Sequence, residues 1–201
     1  MSTDRRSRVD EPHVFALNAL VRAWRAAVDE QRFVPWFDPD GPGVNARILV
    51  LMESPGPRTV AAGDLGFSTE DNDDPTAAAL RAARASAGVA RDGYVRWNVV
   101  PWPTYDATGH RRPPLVRDLE EARPALKELW AALPDLHVVV AVGMPALQGV
   151  MRLMTIDETA RVVPVLAVPH PSPRNAHARA EAFNRLRVAL ERSQKIARLR
   201  A

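Results

Sequence analysis

The sequence predicts an α/β fold: a three-layer α/β/α sandwich around a four-stranded, mainly parallel central sheet. Two observations carry this. Four short runs, Arg47 to Met52, Tyr94 to Val100, His137 to Val142 and Val162 to Val168, are apolar nearly throughout instead of alternating, as strands covered on both faces are. Helical patterns lie between successive runs, which is the connectivity of a parallel sheet. At 201 residues the chain is read as a single domain, with residues 1–45 supplying an N-terminal helix and loop and residues 46–201 the α/β core.

The elements follow in order. Val14, Leu17, Val21, Trp24 and Val28 recur three and four apart, so a helix is expected from about Pro12 to Gln31, with Arg22 and Arg25 outside its apolar stripe. Residues 31–45 hold three prolines and two glycines and read as a loop, whose Phe33, Trp36 and Phe37 pack under the sheet. After the first strand, residues 53–74 form a long irregular segment. Asp74-Pro75 then opens a helix, with aspartate as cap and proline in the first turn, and Gly88 closes it. The second strand stops at Pro101. A helical region from Pro113-Pro114 to about Leu133 is expected to break near Pro124. Gly143-Met144-Pro145 starts a helix to about Met154, and a last helix runs from about Ala176 to Leu199.

Composition narrows the classes of function. Hydrophobic residues make up 46% and charged residues 25%, ordinary for a soluble globular chain. There is no cysteine, which excludes structural disulfides, thiolate zinc sites and cysteine-held iron-sulfur clusters. No apolar run approaches a membrane span, and Met1 to Asp10 is charged where a signal peptide needs an apolar centre. A cytoplasmic monomer with no membrane partner is expected. Net charge is +3, yet Arg185, Arg187, Arg192, Lys195, Arg198 and Arg200 crowd the C-terminal helix. That clustering fits either a solvated helix face or a surface that meets phosphates.

Three strand exits are loaded with chemistry. The first is Glu53-Ser54-Pro55-Gly56-Pro57, a tight turn with a carboxylate. The second strand carries Trp97-Asn98-Val99-Val100-Pro101-Trp102, where an asparagine among apolar neighbours is costly unless its amide finds a partner. The fourth exits into Val168-Pro169-His170-Pro171-Ser172-Pro173-Arg174-Asn175, a loop stiffened by three prolines around one imidazole. In a doubly wound sheet the carboxyl ends of all strands open on one edge, so the three exits can converge. Each residue also has a purely structural reading: Glu53 bonding amides in its turn, Asn98 bridging to a loop, His170 as a buried, satisfied imidazole.

The order ESPG, WNVVPW, HPSPRN resembles the uracil-DNA glycosylase superfamily, from about Arg47 to the C-terminus. The first motif is similar to the Gly-Glu-Ala-Pro-Gly form of the iron-sulfur branches and the last to their His-Pro-Ser-Pro form. Gly66-Phe67-Ser68 with Asp71-Asn72-Asp73-Asp74-Pro75-Thr76 resembles a bacterial branch. Without cysteine this chain resembles a branch that lacks the cluster, and no cofactor or metal is implied.

The resemblance implies hydrolysis of the N-glycosidic bond of a flipped uracil in DNA, the first step of base-excision repair. It implies that neutral His170 donates to the departing base, that Asn98 reads the uracil edge, and that Phe67 stacks on the flipped base, unless that ring is a loop aromatic folded over the core. Relatives place Asp or Asn where this chain has Ser54, so the water-activating group is assigned to Glu53, with Asp71 second; Asp64 and Glu70 are further carboxylates in the loop. Ser172, Arg174, Arg179 and Arg185 are expected to hold DNA, with Arg174 filling the gap left by the base. Two alternatives stand beside uracil excision: a glycosylase for another damaged base, and a catalytically weak DNA-binding module of the same fold.

Overall fold

The computed structural model describes residues 2–27, 32–171 and 179–199. Its centre is a sheet of β2 (Ile48–Met52), β4 (Val95–Asn98), β5 (Val138–Val142) and β6 (Val165–Val168). The spatial order is β4-β2-β5-β6 and every pairing is parallel. All four expected strands are present, and the sheet is parallel throughout.

Helices cover both faces. On one side lie α2 (Pro12–Ala27), α5 (Val116–Ala131) and α6 (Met144–Ile156), packed on Leu49 and Leu51 of β2 and Val139 and Ala141 of β5. On the other lie α4 (Pro75–Ser86) and α7 (Arg179–Leu199), packed on Ile48, Val50 and Met52 of β2 and Val138, Val140 and Val142 of β5. Alternate residues of one strand thus enter opposite cores, which is why both central strands are apolar at every position.

The α4 cap forms as the sequence predicts: Asp74 Oδ1 accepts from the amides of Thr76 and Ala77, each at 2.9 Å. One expectation fails. Helix α5 runs unbroken through Pro124. The proline removes one backbone bond, but its neighbours Leu119, Ala122, Ala125, Leu126 and Leu129 are all buried and hold both halves of the helix on the sheet.

Three small elements were not visible in the pattern: α1 (Ser2–Ser7), α3 (Pro57–Ala61) and a two-stranded parallel ribbon of β1 (Trp36–Phe37) and β3 (Phe67–Ser68). The ribbon ties the two segments read as loops to each other. It brings the Phe37 ring onto Trp97 of β4, stacked at 3.6 Å between centroids, with Trp24 of α2 at 5.8 Å from Trp97. No described helix is long and apolar enough to cross a membrane.

Candidate active site

Taken in chain order, the four sheet strands are arranged second-first-third-fourth, so β2 and β5 are the neighbours at which the winding direction reverses. Ligands of open α/β sheets bind outside the carboxyl ends of the strands at that point. A cavity of about 720 Å³ lies there. Glu53 and Ser54 after β2, Gly143 and Met144 after β5, and Pro169 and His170 after β6 all border it.

The Glu53 carboxylate is half-buried, and no described residue supplies it with a hydrogen bond or a cation. Burial pushes its pKa above the usual glutamate range. It packs against Gly143, which caps the N-terminus of α6 with φ +92° and ψ 160°. Gly143 in turn donates its amide to the Val168 carbonyl at 2.9 Å, joining this turn to the strand that leads to His170.

His170 is half-buried in the same cavity and held at a pKa of about 4. Desolvation is the main cause, the charge of Arg96 adds to it, and Asp74 works against it. At neutral pH the ring is therefore uncharged and can donate from one nitrogen only.

Asn98 ends β4, directly opposite Met52 in register. It is 2% exposed, and its Oδ1 is buried with no hydrogen-bond partner among the described residues. Arg96, two positions earlier on the same face of β4, likewise has a buried Nε without a partner. Asn98 is not among the residues bordering the large cavity. It shares that cavity's sheet edge, and its free acceptor sits on the α4/α7 face together with Met52.

Of the four candidate carboxylates Glu53, Asp64, Glu70 and Asp71, three belong to arginines. Asp71 pairs with Arg5 and, at 3.2 Å, with Arg91. Burial alone would raise its pKa, but the bonds and charge of those arginines outweigh it and hold the carboxyl below its usual range. The second-choice water activator is therefore corrected: Asp71 is a clasp for the N-terminal helix, outside the cavity. Asp64 is held by Arg6 at 2.8 Å and Arg25 at 2.7 Å. Glu70, 1% exposed, takes Arg84 Nε on both oxygens at 2.9 Å and the Tyr94 hydroxyl at 2.6 Å. Carboxylate oxygens of Asp38, Asp40 and Asp71 lie within 4.8 Å of one another, but Arg5, Arg8 and Arg91 supply their counter-charge.

Phe67 also needs correction. It is 3% exposed, inside the core with Trp36 and Phe37, because the β1/β3 ribbon turns its side chain under the sheet. The loop-aromatic reading replaces the base-stacking one. Arg185 of α7 borders the cavity, bonded to the Ala167 carbonyl at 3.3 Å. Arg179 begins α7, and its side chain lies outside the description, as do Ser172 and Arg174 altogether.

Two cavity residues escaped the sequence reading: Arg111 and Arg112, from the loop between β4 and α5. Their signal was the Gly109-His110-Arg111-Arg112-Pro113-Pro114 run, of which only Pro113-Pro114 was read, as a helix introduction. Arg112 is neutralised by Asp118, with Nη2 to Oδ1 at 2.9 Å. Arg111 donates Nη2 to the Pro55 carbonyl.

Of the residues expected to share one concavity, Glu53, Ser54 and His170 border the cavity, Asn98 lies on the same sheet edge outside it, and Phe67 is in the core. The profile of the Uracil DNA glycosylase superfamily matches residues 39–193. This chain belongs to that superfamily. A comparison with curated proteins returns no match. Membership supports a glycosylase-type function on DNA. The chain has no cysteine, and the stacked Phe37 and Trp97 rings are among the contacts of its core.

Proposed function

We propose that this protein hydrolyses the N-glycosidic bond of uracil flipped out of DNA. The observation that carries the reading is that Glu53, alone among Glu53, Asp64, Glu70 and Asp71, borders the cavity with no arginine partner among the described residues, in company with a neutral His170.

The chemistry needs both groups. As the bond between C1′ and the base nitrogen lengthens, its electron pair leaves with the base, and positive charge grows on the sugar. A carboxylate beside the sugar offsets that charge, accepts a hydrogen bond from the attacking water and takes its proton as the new C1′–O bond forms. His170 donates a hydrogen bond to the oxygen of the departing base, where the negative charge collects, without itself carrying charge into a site that resists it. Asn98 brings an acceptor that no described residue satisfies. The ring N–H of uracil is a donor of the matching kind, whereas cytosine offers an acceptor at that position.

The test is excision from oligonucleotides bearing uracil, hypoxanthine, xanthine or a thymine mispair, followed by alkaline cleavage. Release of uracil, lost in Glu53→Gln, supports the reading. Release of another base only moves the assignment to that lesion, and DNA binding without release on any substrate replaces it with the binding module.

A further inference from the structure

We infer that Arg111 is a ligand for a backbone phosphate of the damaged strand, holding the cavity wall next to the Ser54-Pro55 turn. The inference rests on the glycosylase reading and adds a contact that reading does not contain.

Arg111 stands in a tight hairpin. Tyr105 and Arg111 form an antiparallel bridge, and Asp106 donates its amide to the His110 carbonyl at 2.9 Å. Asp106 Oδ1 accepts from the amides of Thr108 at 2.8 Å and His110 at 3.0 Å, and Gly109 turns the chain at φ +81°. The hairpin therefore fixes where the arginine leaves the backbone. Its guanidinium carbon lies 5.5 Å from the centre of the Tyr105 ring, and Nη2 reaches the Pro55 carbonyl and, at 3.5 Å, Ser54 Oγ.

Among the described residues the other donors of that guanidinium have no partner. Nε and Nη1 are shut away from solvent with no acceptor, and no carboxylate among the described residues pairs with this arginine. A cation held so costs free energy until an anion arrives. The neighbouring cations are already served: Arg112 by Asp118, and Arg185 by Glu181 at 3.4 Å and the Ala167 carbonyl. Among the described residues Glu53 is the one carboxylate bordering the cavity, and neither a hydrogen bond nor an ion pair joins it to Arg111.

The acceptor that fits is a phosphodiester. It presents several charged oxygens to a guanidinium, the pairing for which arginine is best suited. A sugar placed over Glu53 has its phosphate one bond path away, and the Ser54-Pro55 turn that Arg111 grips is the continuation of Glu53 itself. The cavity also has room: about 720 Å³ is in the range of whole-ligand pockets, about 300–1,000 Å³, and exceeds what a lone pyrimidine fills. Residues 105–110 are exposed, so a short swing of the guanidinium into the cavity exchanges unpartnered donors for phosphate oxygens.

The test uses the full chain and a duplex containing a tetrahydrofuran abasic analogue, with Kd measured across a salt series. Arg111→Gln should lower the slope of log K against log salt by about 1, and Arg111→Lys should restore most of it. A methylphosphonate scan of the linkages beside the analogue should find one whose neutralisation weakens the wild type but adds nothing to Arg111→Gln. An unchanged slope in folded Arg111→Gln, or a wild type indifferent to every neutralised linkage, overturns the inference and leaves Arg111 as a brace for the turn. The wild-type scan decides even if the glutamine variant does not fold. Base release does not enter these measurements, so a protein that passes them yet excises nothing refutes the glycosylase reading and not this contact.

Discussion

A Cβ placed on Gly143 would overlap the Glu53 carboxylate, coming within 3.0 Å of its Cδ. The two residues follow β2 and β5, the pair of strands at which the sheet reverses its winding, so the carboxylate occupies the space that any other residue's side chain would claim. Gly143 is held at φ +92° and ψ 160°, a conformation that only glycine adopts without strain. The absence of one side chain thus creates the seat of the proposed water activator, and the N-terminus of α6 faces it with favourable polarity.

Gly143→Ala should separate seat from scaffold. The backbone strain predicts a loss of about 1–3 kcal/mol of stability, readable by denaturant unfolding. Because the methyl also evicts Glu53, excision under single-turnover conditions should fall to the level of Glu53→Gln. Full activity in the alanine variant would show that the carboxylate need not sit where the structure puts it.

Excision should depend on pH through Glu53. The proposed role needs the ionised form, and burial raises the pKa of this group. The rate should therefore climb with pH through a midpoint above the usual glutamate range and level off once the carboxylate is ionised. His170, neutral above about 4, contributes no fall across the neutral range. Glu53→Gln should abolish the acid limb along with most of the rate. A limb that persists in the glutamine variant belongs to another group.

The parts of this picture that were legible in the sequence are those decided locally. Leu49 and Val140 lie in runs apolar at every position, which only a sheet covered on both faces explains, and Asp74-Pro75 carries its cap in its own two residues. The ribbon of Trp36–Phe37 with Phe67–Ser68 has two residues per strand, too few to show a period, and so the burial of Phe67 was not readable. Nor was the choice between Glu53 and Asp71. It is made by Arg5, which is 66 residues from Asp71 and takes it out of contention, a contact that exists only once α1 has docked. Pro124 misled because a local rule was overridden by burial of the residues around it.

Asn98 should show a trade between stability and selectivity. Its Oδ1 is a buried acceptor with no partner, so the amide adds little to the fold and costs its own desolvation. Asn98→Leu, similar in size, should unfold at an equal or higher denaturant midpoint while losing discrimination between uracil and cytosine. A marked loss of stability would mean that the amide serves the core.

Stability itself should bend with pH because of His170. Its folded pKa of about 4 lies below the ordinary 6.5, so between those values the unfolded chain binds the proton more readily. The contribution is complete above about 6.5 and is lost as pH falls towards about 4. Glu53 acts in the opposite sense, favouring the fold while protonated and withdrawing that support as pH rises through its elevated pKa. From pH 7 down to 4 the unfolding midpoint of the wild type should fall relative to that of His170→Gln. Parallel curves would place the imidazole in solvent.

The rate test of His170 follows from the same neutrality. An uncharged imidazole can stabilise the departing base by one directed hydrogen bond, and removing one such donor from a developing anion costs about 10²- to 10³-fold in rate. His170→Ala should show a loss of that size in single-turnover base release. Affinity for an abasic-site duplex should change little, since phosphate contacts dominate that binding and the imidazole carries no charge to it. Arg111→Gln, which removes the unpartnered cation at the cavity wall, should show the converse: weaker binding with a shallower salt dependence and a nearly unchanged rate at saturating protein. If His170→Ala releases base at the wild-type rate, the leaving group is stabilised elsewhere. If instead rate and affinity fall together, the histidine shapes the Val168–Pro171 loop, and its hydrogen bond to the base is not what the reaction requires.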